Sequence, residues 1–410
     1  MKKQEKNIYN LKSIFQSGEY KTFLFVMLIF GIVVGFFSGT LNNFLHEILG
    51  MDELDRGFLE LPREAPGLLL ILIIALLFRS SEVYILRLSI IIGIAGFIGL
   101  GFLGQDRILA VICIVFWSTG EHILMPIRQS IGIHMAQKGK EGQAMGTVAS
   151  AGNIGMVIGY FTVPVIFFLL SLYWNNSDKF SYFQIIFVIG SVLLLIALLV
   201  TGRLKKKDDY IKRQKLYFHK KYTKYYILEF FFGARKQVFL TFAPFILVKV
   251  YNAETQVISL LFGIYATLSI FFSPLVGRLI DKLGYKKVIV MDSILLVLLC
   301  IGYGFAHIFF NPNIAFIIIC TIFIIDGMLF AVGIARAKYV RNISNSKEEV
   351  TSTLSTGISI NHLISIVIAL IGGLIWFNWG IELLFLVAAL FGVGSFAFSL
   401  SLPSHSERTE

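Results

Sequence analysis

Ionisable side chains interrupt several long apolar stretches of this sequence, and they are the residues best placed to do chemistry. Glu121 and His122 are adjacent in one such stretch, and Arg128 follows Glu121 by two helical turns on the same face. A charge near the centre of a bilayer costs about 2.5 to 3.5 kcal/mol on insertion scales, so each of these positions suggests a function. A buried carboxylate beside an imidazole can exchange a proton near neutral pH. The alternative is a static network of hydrogen bonds between helices.

A later apolar stretch carries two adjacent cations, Arg235 and Lys236, about halfway along its length. Glu229 precedes Lys236 by two turns, which predicts an ion pair between them and leaves Arg235 facing a water-filled centre. Long basic side chains also reach back to lipid headgroups, so anchoring in the inner leaflet is the alternative. Asp326 is the only acid in another stretch and lies near its middle.

Glu60, Arg63 and Glu64 form a third group at the start of an apolar stretch. Their spacing of three and four residues places Arg63 and Glu64 beside Glu60 on a helix. Such a cluster near the outer surface suits a gate, whereas the alternative is a group of ion pairs that only stabilises a helix start. Asn361 and His362 lie in a later stretch, where we expect them to make hydrogen bonds between helices.

The composition excludes most other classes of protein. The chain has 410 residues, of which 56% are hydrophobic and 15% charged, and its mean hydropathy is +0.78. These values exclude a soluble enzyme, a disordered chain and a coiled coil. Continuous runs rich in Leu, Ile and Phe also differ from the alternating pattern of a membrane β-barrel. The three cysteines lie inside apolar runs and predict no disulfide framework.

These residues lie within or beside twelve apolar spans, six on each side of a basic central segment. Each span is long enough for a transmembrane helix, which needs about 20 residues. The first six run approximately over 22–48, 57–78, 83–103, 107–134, 142–173 and 181–202. The second six run approximately over 225–249, 255–279, 287–309, 313–337, 351–377 and 381–402. We therefore expect an all-α polytopic membrane protein with twelve transmembrane helices in two six-helix bundles.

We expect five segments in chain order. They are a cytoplasmic N-terminal segment (1–21), an N-terminal bundle (22–202), a basic cytoplasmic linker (203–224), a C-terminal bundle (225–402) and a cytoplasmic tail (403–410). Of the 36 Lys and Arg residues, 28 fall on the side of the N-terminus, 4 on the other side and 4 within spans. This asymmetry predicts that both termini and the linker are cytoplasmic. Anionic lipid headgroups are the expected partner of these charges, and nucleic acid is not. Short loops and tails suit a multi-pass protein of a plasma (inner) membrane.

A motif at the cytoplasmic end of the eighth span indicates a known protein family. The sequence from Gly277 reads GRLIDKLGYKK, which resembles the G-x-x-x-D-[RK]-x-G-[RK]-[RK] loop of the major facilitator superfamily. With the six-plus-six spans, the resemblance covers essentially the whole chain, although Tyr285 replaces a basic residue and the matching loop of the first half lacks the glycines and the aspartate. The resemblance implies that Gly277, Asp281 and Gly284 help to close an inner gate. The alternative is a charged loop that only sets orientation.

Two details of this loop can be argued from its residues. Gly277 has no side chain, so two helix backbones can approach each other there. Asp281 can accept hydrogen bonds from free backbone N–H groups at a neighbouring helix N-terminus.

The resemblance also implies that spans one, four, seven and ten line a central cavity. The candidate substrate-binding or coupling residues are those that such spans carry, namely Glu121, His122, Arg128, Arg235, Lys236 and Asp326. Three cations against two acids favour an anionic or zwitterionic solute, with one acid left for a coupling proton. We therefore expect a monomeric secondary transporter that moves a small organic solute by alternating access.

Two other functions stay open. One is a drug/proton antiporter, although the Gly-Pro-x-x-Gly-Gly pattern that such antiporters carry in span five is replaced here by Gly152-Asn153-Ile-Gly155. The other is a transporter-like sensor that binds a ligand without moving it. An enzyme is not expected, because the sequence has no phosphate-binding Gly-Lys-Ser/Thr loop and no nucleophile with a paired base. It also has no zinc motif and its histidines are scattered, so neither a cofactor nor a metal site is predicted.

Overall fold

The computed structural model describes residues 18–77, 80–136, 140–173, 178–204 and 218–403, which form helices joined by short turns and contain no strand. The predicted N-terminal segment, central linker and C-terminal tail therefore lie largely outside the described residues. Within the described ranges, the expected all-α polytopic fold is confirmed.

The described residues of the first half form seven α-helices. They are α1 (Gly18–Asn43), α2 (Glu53–Leu68), α3 (Leu70–Leu76), α4 (Glu82–Leu103), α5 (Arg107–His134), α6 (Glu141–Tyr173) and α7 (Phe180–Val200). A π-helical turn, Phe44–Ile48, extends α1. Several helices start at side-chain caps. The carboxylate of Asp106, for example, accepts hydrogen bonds from two backbone N–H groups at the start of α5.

From residue 218 to residue 403, the second half forms six α-helices. They are α8 (Thr223–Lys249), α9 (Thr255–Leu283), α10 (Tyr285–Phe309), α11 (Pro312–Leu329), α12 (Gly333–Ile343) and α13 (Lys347–Leu400). At the start of α13, a hydrogen bond from the backbone N–H of Asn345 lowers the pKa of Glu349 from its usual value. That bond favours the ionised carboxylate at a helix N-terminus, where negative charge is stabilising.

The described helices include ten that are long and apolar enough to cross a membrane. The last of these turns back at Gly380, whose φ is +89°, so α13 supplies two spans rather than one. The remaining predicted span, 57–78, is formed by α2 and α3, which are separated at Leu69. Pro62 and Pro66 lie inside α2 and lack backbone N–H donors, which accounts for a weakened helix before this break.

Each half has its own apolar core. One core is built from buried residues between Tyr20 and Leu204, where the Trp117 ring lies 4.6 Å from the Phe97 ring. The other is built from residues between Tyr222 and Leu402, together with Tyr160 from the first half. Tyr160 therefore packs across the boundary between the halves.

Glycines bring α1 and α6 into backbone contact. A Cβ atom at Gly155 would lie 2.0 Å from the carbonyl oxygen of Leu28, and one at Gly159 would lie 2.3 Å from that of Ile32. No larger side chain fits between the two backbones at these positions.

Candidate functional site

Arg235 on α8 is held by two carboxylates from neighbouring helices. Its Nη1 atom donates to both carboxylate oxygens of Asp292 on α10 at 3.0 Å. Its Nη2 atom donates to Oδ1 of Asp326 on α11, also at 3.0 Å. The Arg235 side chain is only 3% exposed, so the expectation that it faces water is wrong in this conformation. One guanidinium shared by two carboxylates leaves the group with one excess negative charge when all three are ionised.

Asp292 was not among the sequence-predicted site residues, although it had a detectable signal. It is a single acid in the ninth apolar span, as Asp326 is in the tenth. It lies two turns from the start of α10, near the helix end, and only the structure shows that it lies against Arg235.

The predicted ion pair between Glu229 and Lys236 is wrong. The Nζ atom of Lys236 donates to Oδ1 of Asn361 on α13 at 3.1 Å. Glu229 instead accepts a hydrogen bond of 2.8 Å from Nε of Arg336 on α12. Two turns of one helix separate residues by about 10.5 Å along the axis, so partners on neighbouring helices are closer.

A small cavity lies beside Asp326. Its lining is mainly aromatic and includes Phe239, Phe262, Tyr265, Phe323 and Phe330. Gly327 leaves room for the Tyr265 ring, because a Cβ atom there would lie 2.5 Å from a ring carbon. Among the described lining residues, Asp326 is the charged one. The chemistry of this lining matches a solute with a flat or apolar part and one polar end.

Glu121 and Arg128 on α5 do not form an ion pair. Glu121 is partly buried and makes no hydrogen bond or ion pair with any residue that the structure describes, and Arg128 is exposed. Two turns of helix again keep the side chains apart. His122 bonds within its own helix, where its Nδ1 atom lies 2.8 Å from the backbone carbonyl oxygen of Ser118.

The charged cluster on α2 is buried. Arg63 donates through Nε to both carboxylate oxygens of Glu60, at 3.0 and 2.9 Å, and pairs with Oε1 of Glu64 at 2.6 Å. Arg56 also pairs with Glu60, and its Nε donates to Oδ1 of Asn42 on α1 at 3.2 Å. Glu60 has no exposed surface, so the group belongs to the interior of the bundle.

This cluster reaches the second half through Glu64. Its Oε2 atom lies 2.8 Å from Nδ1 of His362 on α13 and 3.9 Å from Nε2 of His122 on α5. Glu64, His122 and His362 are all buried, and their ligand atoms lie within 4.8 Å of one another. The sequence signal for this triad was weak, because its members are far apart in the chain and were assigned to three different groups.

Further contacts between the halves lie at the same end of the molecule, which we call the closed end. Nδ2 of Asn43 donates to the carbonyl oxygen of Ala253 at 2.8 Å, and Lys249 pairs with Glu53. The backbones of α2 and α13 also touch. A Cβ atom at Gly57 would lie 2.5 Å from the carbonyl oxygen of Ala369.

The motif loop lies at the opposite end. Oδ1 of Asp281 accepts a hydrogen bond of 3.3 Å from Nζ of Lys338, which belongs to the same half, and both side chains are exposed. A Cβ atom at Gly277 would meet nothing within 4 Å. The predicted helix approach at Gly277 and the predicted backbone partners of Asp281 are therefore wrong for this conformation, because the halves meet at the other end. Gly284 joins α9 to α10 with φ +83° and ψ 156°.

This architecture, with buried charges inside two packed helical halves, defines a membrane transport protein. A family model of the Major Facilitator Superfamily matches residues 2–160 and 225–410. The chain belongs to that superfamily and is a transporter rather than an enzyme.

Solved transporter structures share the fold. The nucleoside transporter NupG superposes with a TM-score of 0.73 at 13% sequence identity, covering 94% of this chain and 100% of that chain. A bacterial homolog to the human lysosomal transporter Spinster, inward-facing and occupied, gives 0.72 at 13% identity, with 94% and 97% covered. A D-xylose-proton symporter gives 0.69 at 14% identity, with 94% and 97% covered. No curated protein sequence matches the chain.

Proposed function

We propose that the protein is a secondary active transporter that moves a small anionic or zwitterionic organic solute together with a proton, by alternating access. The observation that carries this proposal is the position of Arg235 between Asp292 and Asp326, beside the aromatic cavity. A proton on Asp326 weakens its hold on Nη2 of Arg235. That donor is then available to a carboxylate or phosphate group of the solute.

The local charges favour joint binding of the anion and the proton. Asp292 adds a second acid beside Arg235, so the group of Arg235, Asp292 and Asp326 carries no excess positive charge. A bare anion would add an unbalanced charge to a dry site, whereas an anion with a proton adds none. The other titratable groups near Asp326 are Tyr265 from α9 and Cys300 and Tyr303 from α10.

The direction of opening follows from the distribution of basic residues. With both termini cytoplasmic, α1 runs outward and the closed end, with Asn43 and Lys249, lies outside. The conformation is then inward-facing in a plasma membrane, and the linker and motif loop lie near anionic headgroups. In the outward-facing state, the loop with Gly277, Asp281 and Gly284 would meet the first half.

One observation favours a second function, the drug/proton antiporter. Aromatic rings around a single carboxylate also suit a lipophilic cation, because ring faces attract positive charge. In that case, Asp326 would bind the cation and the proton in turn. The two functions differ in the sign of the solute that the cavity accepts.

The test is a panel of organic anions, amino acids, sugars and lipophilic cations, measured as the rise in melting temperature of the purified protein at acidic and neutral pH. Hits are followed by uptake into proteoliposomes with an imposed proton gradient. Stabilisation by an anion, lost in Arg235→Gln and kept in Lys338→Gln, supports the proposal. Stabilisation by lipophilic cations alone would replace it with the antiporter.

A further inference from the structure

Three potential metal ligands converge between the halves, outside the cavity beside Asp326. Glu64 comes from α2, His122 from α5 and His362 from α13. One carboxylate and two imidazoles form a common donor set for divalent transition metals such as Zn²⁺, and a poor one for Mg²⁺ or Ca²⁺. This group is distinct from the Glu121 and His122 pair considered for proton exchange, because the partners of His122 here are Glu64 and His362.

The tautomer of His122 is fixed by its neighbours. The hydroxyl of Ser118 donates its hydrogen to the carbonyl oxygen of Arg63. Both oxygens of Ser118 therefore accept from Nδ1 of His122, the carbonyl oxygen at 2.8 Å and the hydroxyl oxygen at 3.1 Å. Nδ1 must carry the hydrogen, so Nε2 of the neutral ring keeps a free lone pair. A hydrogen bond from the second ring nitrogen to a carbonyl is the usual support of a metal-binding histidine.

Nε2 of His122 lies near another electron-rich atom. Nε2 lies 3.9 Å from Oε2 of Glu64, and no hydrogen-bond donor among the described residues reaches Nε2. The His122 side chain is only 4% exposed, so bulk water does not surround that lone pair. Two buried electron-rich atoms facing each other favour a cation between them.

The distances suit one ion. Two ligand atoms about 2.1 Å from a tetrahedral ion lie about 3.4 Å apart. The observed separations from Oε2 of Glu64, 2.8 Å to Nδ1 of His362 and 3.9 Å to Nε2 of His122, fall on either side of that value. Arg63 is paired with Oε1 of Glu64 and with Glu60, so Oε2 remains for the ion.

Gly67 gives the two imidazoles the room they need. A Cβ atom at this position would lie 2.6 Å from Nε2 of His122 and 3.1 Å from Cε1 of His362. Any larger residue at 67 would therefore occupy the space between the rings.

We infer that Glu64, His122 and His362 bind one divalent transition-metal ion, which joins the two halves at the closed end. On the neutral ring of His362, the ion takes the place of the hydrogen at Nδ1, and the ring hydrogen moves to Nε2. A bound ion holds α13 against α2 and α5, so it stabilises this conformation over the one in which the halves separate there.

The test uses the full chain, purified in detergent with its affinity tag removed and transition metals stripped by a chelator. Calorimetric titration with ZnCl₂ is expected to give one site per chain and a higher melting temperature. Glu64→Gln, His122→Gln and His362→Gln are each expected to weaken binding by more than about 100-fold. The matched control is His307→Gln. It removes a histidine that also pairs with a carboxylate, Glu382 at 2.9 Å, and it should leave binding unchanged.

A second measurement needs no variant. Co²⁺ added to the wild-type protein should develop the intense visible absorption of a four- or five-coordinate site, and Zn²⁺ should remove it. Failure of the wild type to bind Zn²⁺, an absorption spectrum of fully hydrated Co²⁺, or equal Zn²⁺ binding by folded Glu64→Gln and His362→Gln would overturn the inference.

Discussion

Nδ1 of His362 lies 2.8 Å from Oε2 of Glu64, although the two residues are 298 positions apart and belong to opposite halves of the transporter. Both side chains are buried, and Arg63 supports the same carboxylate from the other side. The bond must break whenever the closed end opens. It therefore contributes to the free-energy difference between the two conformations of the transport cycle.

Removing the charge of Glu64 should open the closed end more often. In Glu64→Gln, the amide replaces an ionised acceptor, and the contact with His362 loses a charge-assisted hydrogen bond. Spin labels at the exposed positions Gly50 and Val250, each changed to cysteine in a cysteine-free background, should report a longer distance in a larger fraction of molecules. Glu82→Gln is the matched control, because Glu82 bonds to His134 within the first half. An identical distance distribution in Glu64→Gln and the parent would contradict the prediction.

Asp326→Asn should uncouple the proton from the solute. The amide cannot be ionised, so we expect exchange of solute across the membrane to persist while accumulation driven by a proton gradient is lost. Counterflow and gradient-driven uptake in proteoliposomes separate these two activities. Asp292→Asn removes the other partner of Arg235 but does not line the cavity, and it should retain some gradient-driven uptake. Equal loss of both activities in Asp326→Asn would argue against a coupling role.

Arg235→Gln should abolish transport and also destabilise the fold. It leaves two buried carboxylates without their cation, and breaking a buried pair in this way costs about 3 to 5 kcal/mol. The double variant Arg235→Gln with Asp292→Asn removes one of those charges and should recover much of the melting temperature. If transport returned with the stability, Arg235 would have a structural role only.

The two glycines of the motif loop should respond differently to alanine. Gly284 has φ +83° and ψ 156°, a conformation that is almost restricted to glycine, so Gly284→Ala should cost about 1 to 3 kcal/mol. Gly277 is helical with nothing near its Cβ position, so Gly277→Ala should leave the melting temperature nearly unchanged. Transport by Gly277→Ala is the informative readout. Normal stability with lost transport would indicate that Gly277 contacts the first half in the other conformation.

Gly327→Ala should disturb the cavity beside Asp326. The added methyl group would lie 2.5 Å from the Tyr265 ring, and overpacking of this kind costs about 1 to 3 kcal/mol. The melting temperature should fall, and the solute found by the ligand panel should bind more weakly. Gly146→Ala on α6 is the control, since nothing lies within 4 Å of its Cβ position. An unchanged affinity in a correctly folded Gly327→Ala protein would place the solute elsewhere.

The sequence predicted the helical fold because the spans are long, apolar and separated by basic loops. It also located Arg235, Asp326 and Glu64, because a charge inside an apolar span is conspicuous wherever it stands. It did not predict their partners. Neighbouring positions on one helix suggested that Lys236 pairs with Glu229, whereas packing between helices decides the pairs, and that packing is not visible in a linear pattern.

The charged face of α2 has a consequence for membrane insertion during synthesis. Arg56, Glu60, Arg63 and Glu64 each oppose transfer of an isolated helix from the translocon into lipid, by up to about 2.5 to 3.5 kcal/mol near the bilayer centre. Their partners include Asn42 on α1, made earlier, and His362 on α13, made near the end of translation. This helix therefore depends on the rest of the chain to enter the bilayer. It reaches its final position only after the last two spans have been synthesised.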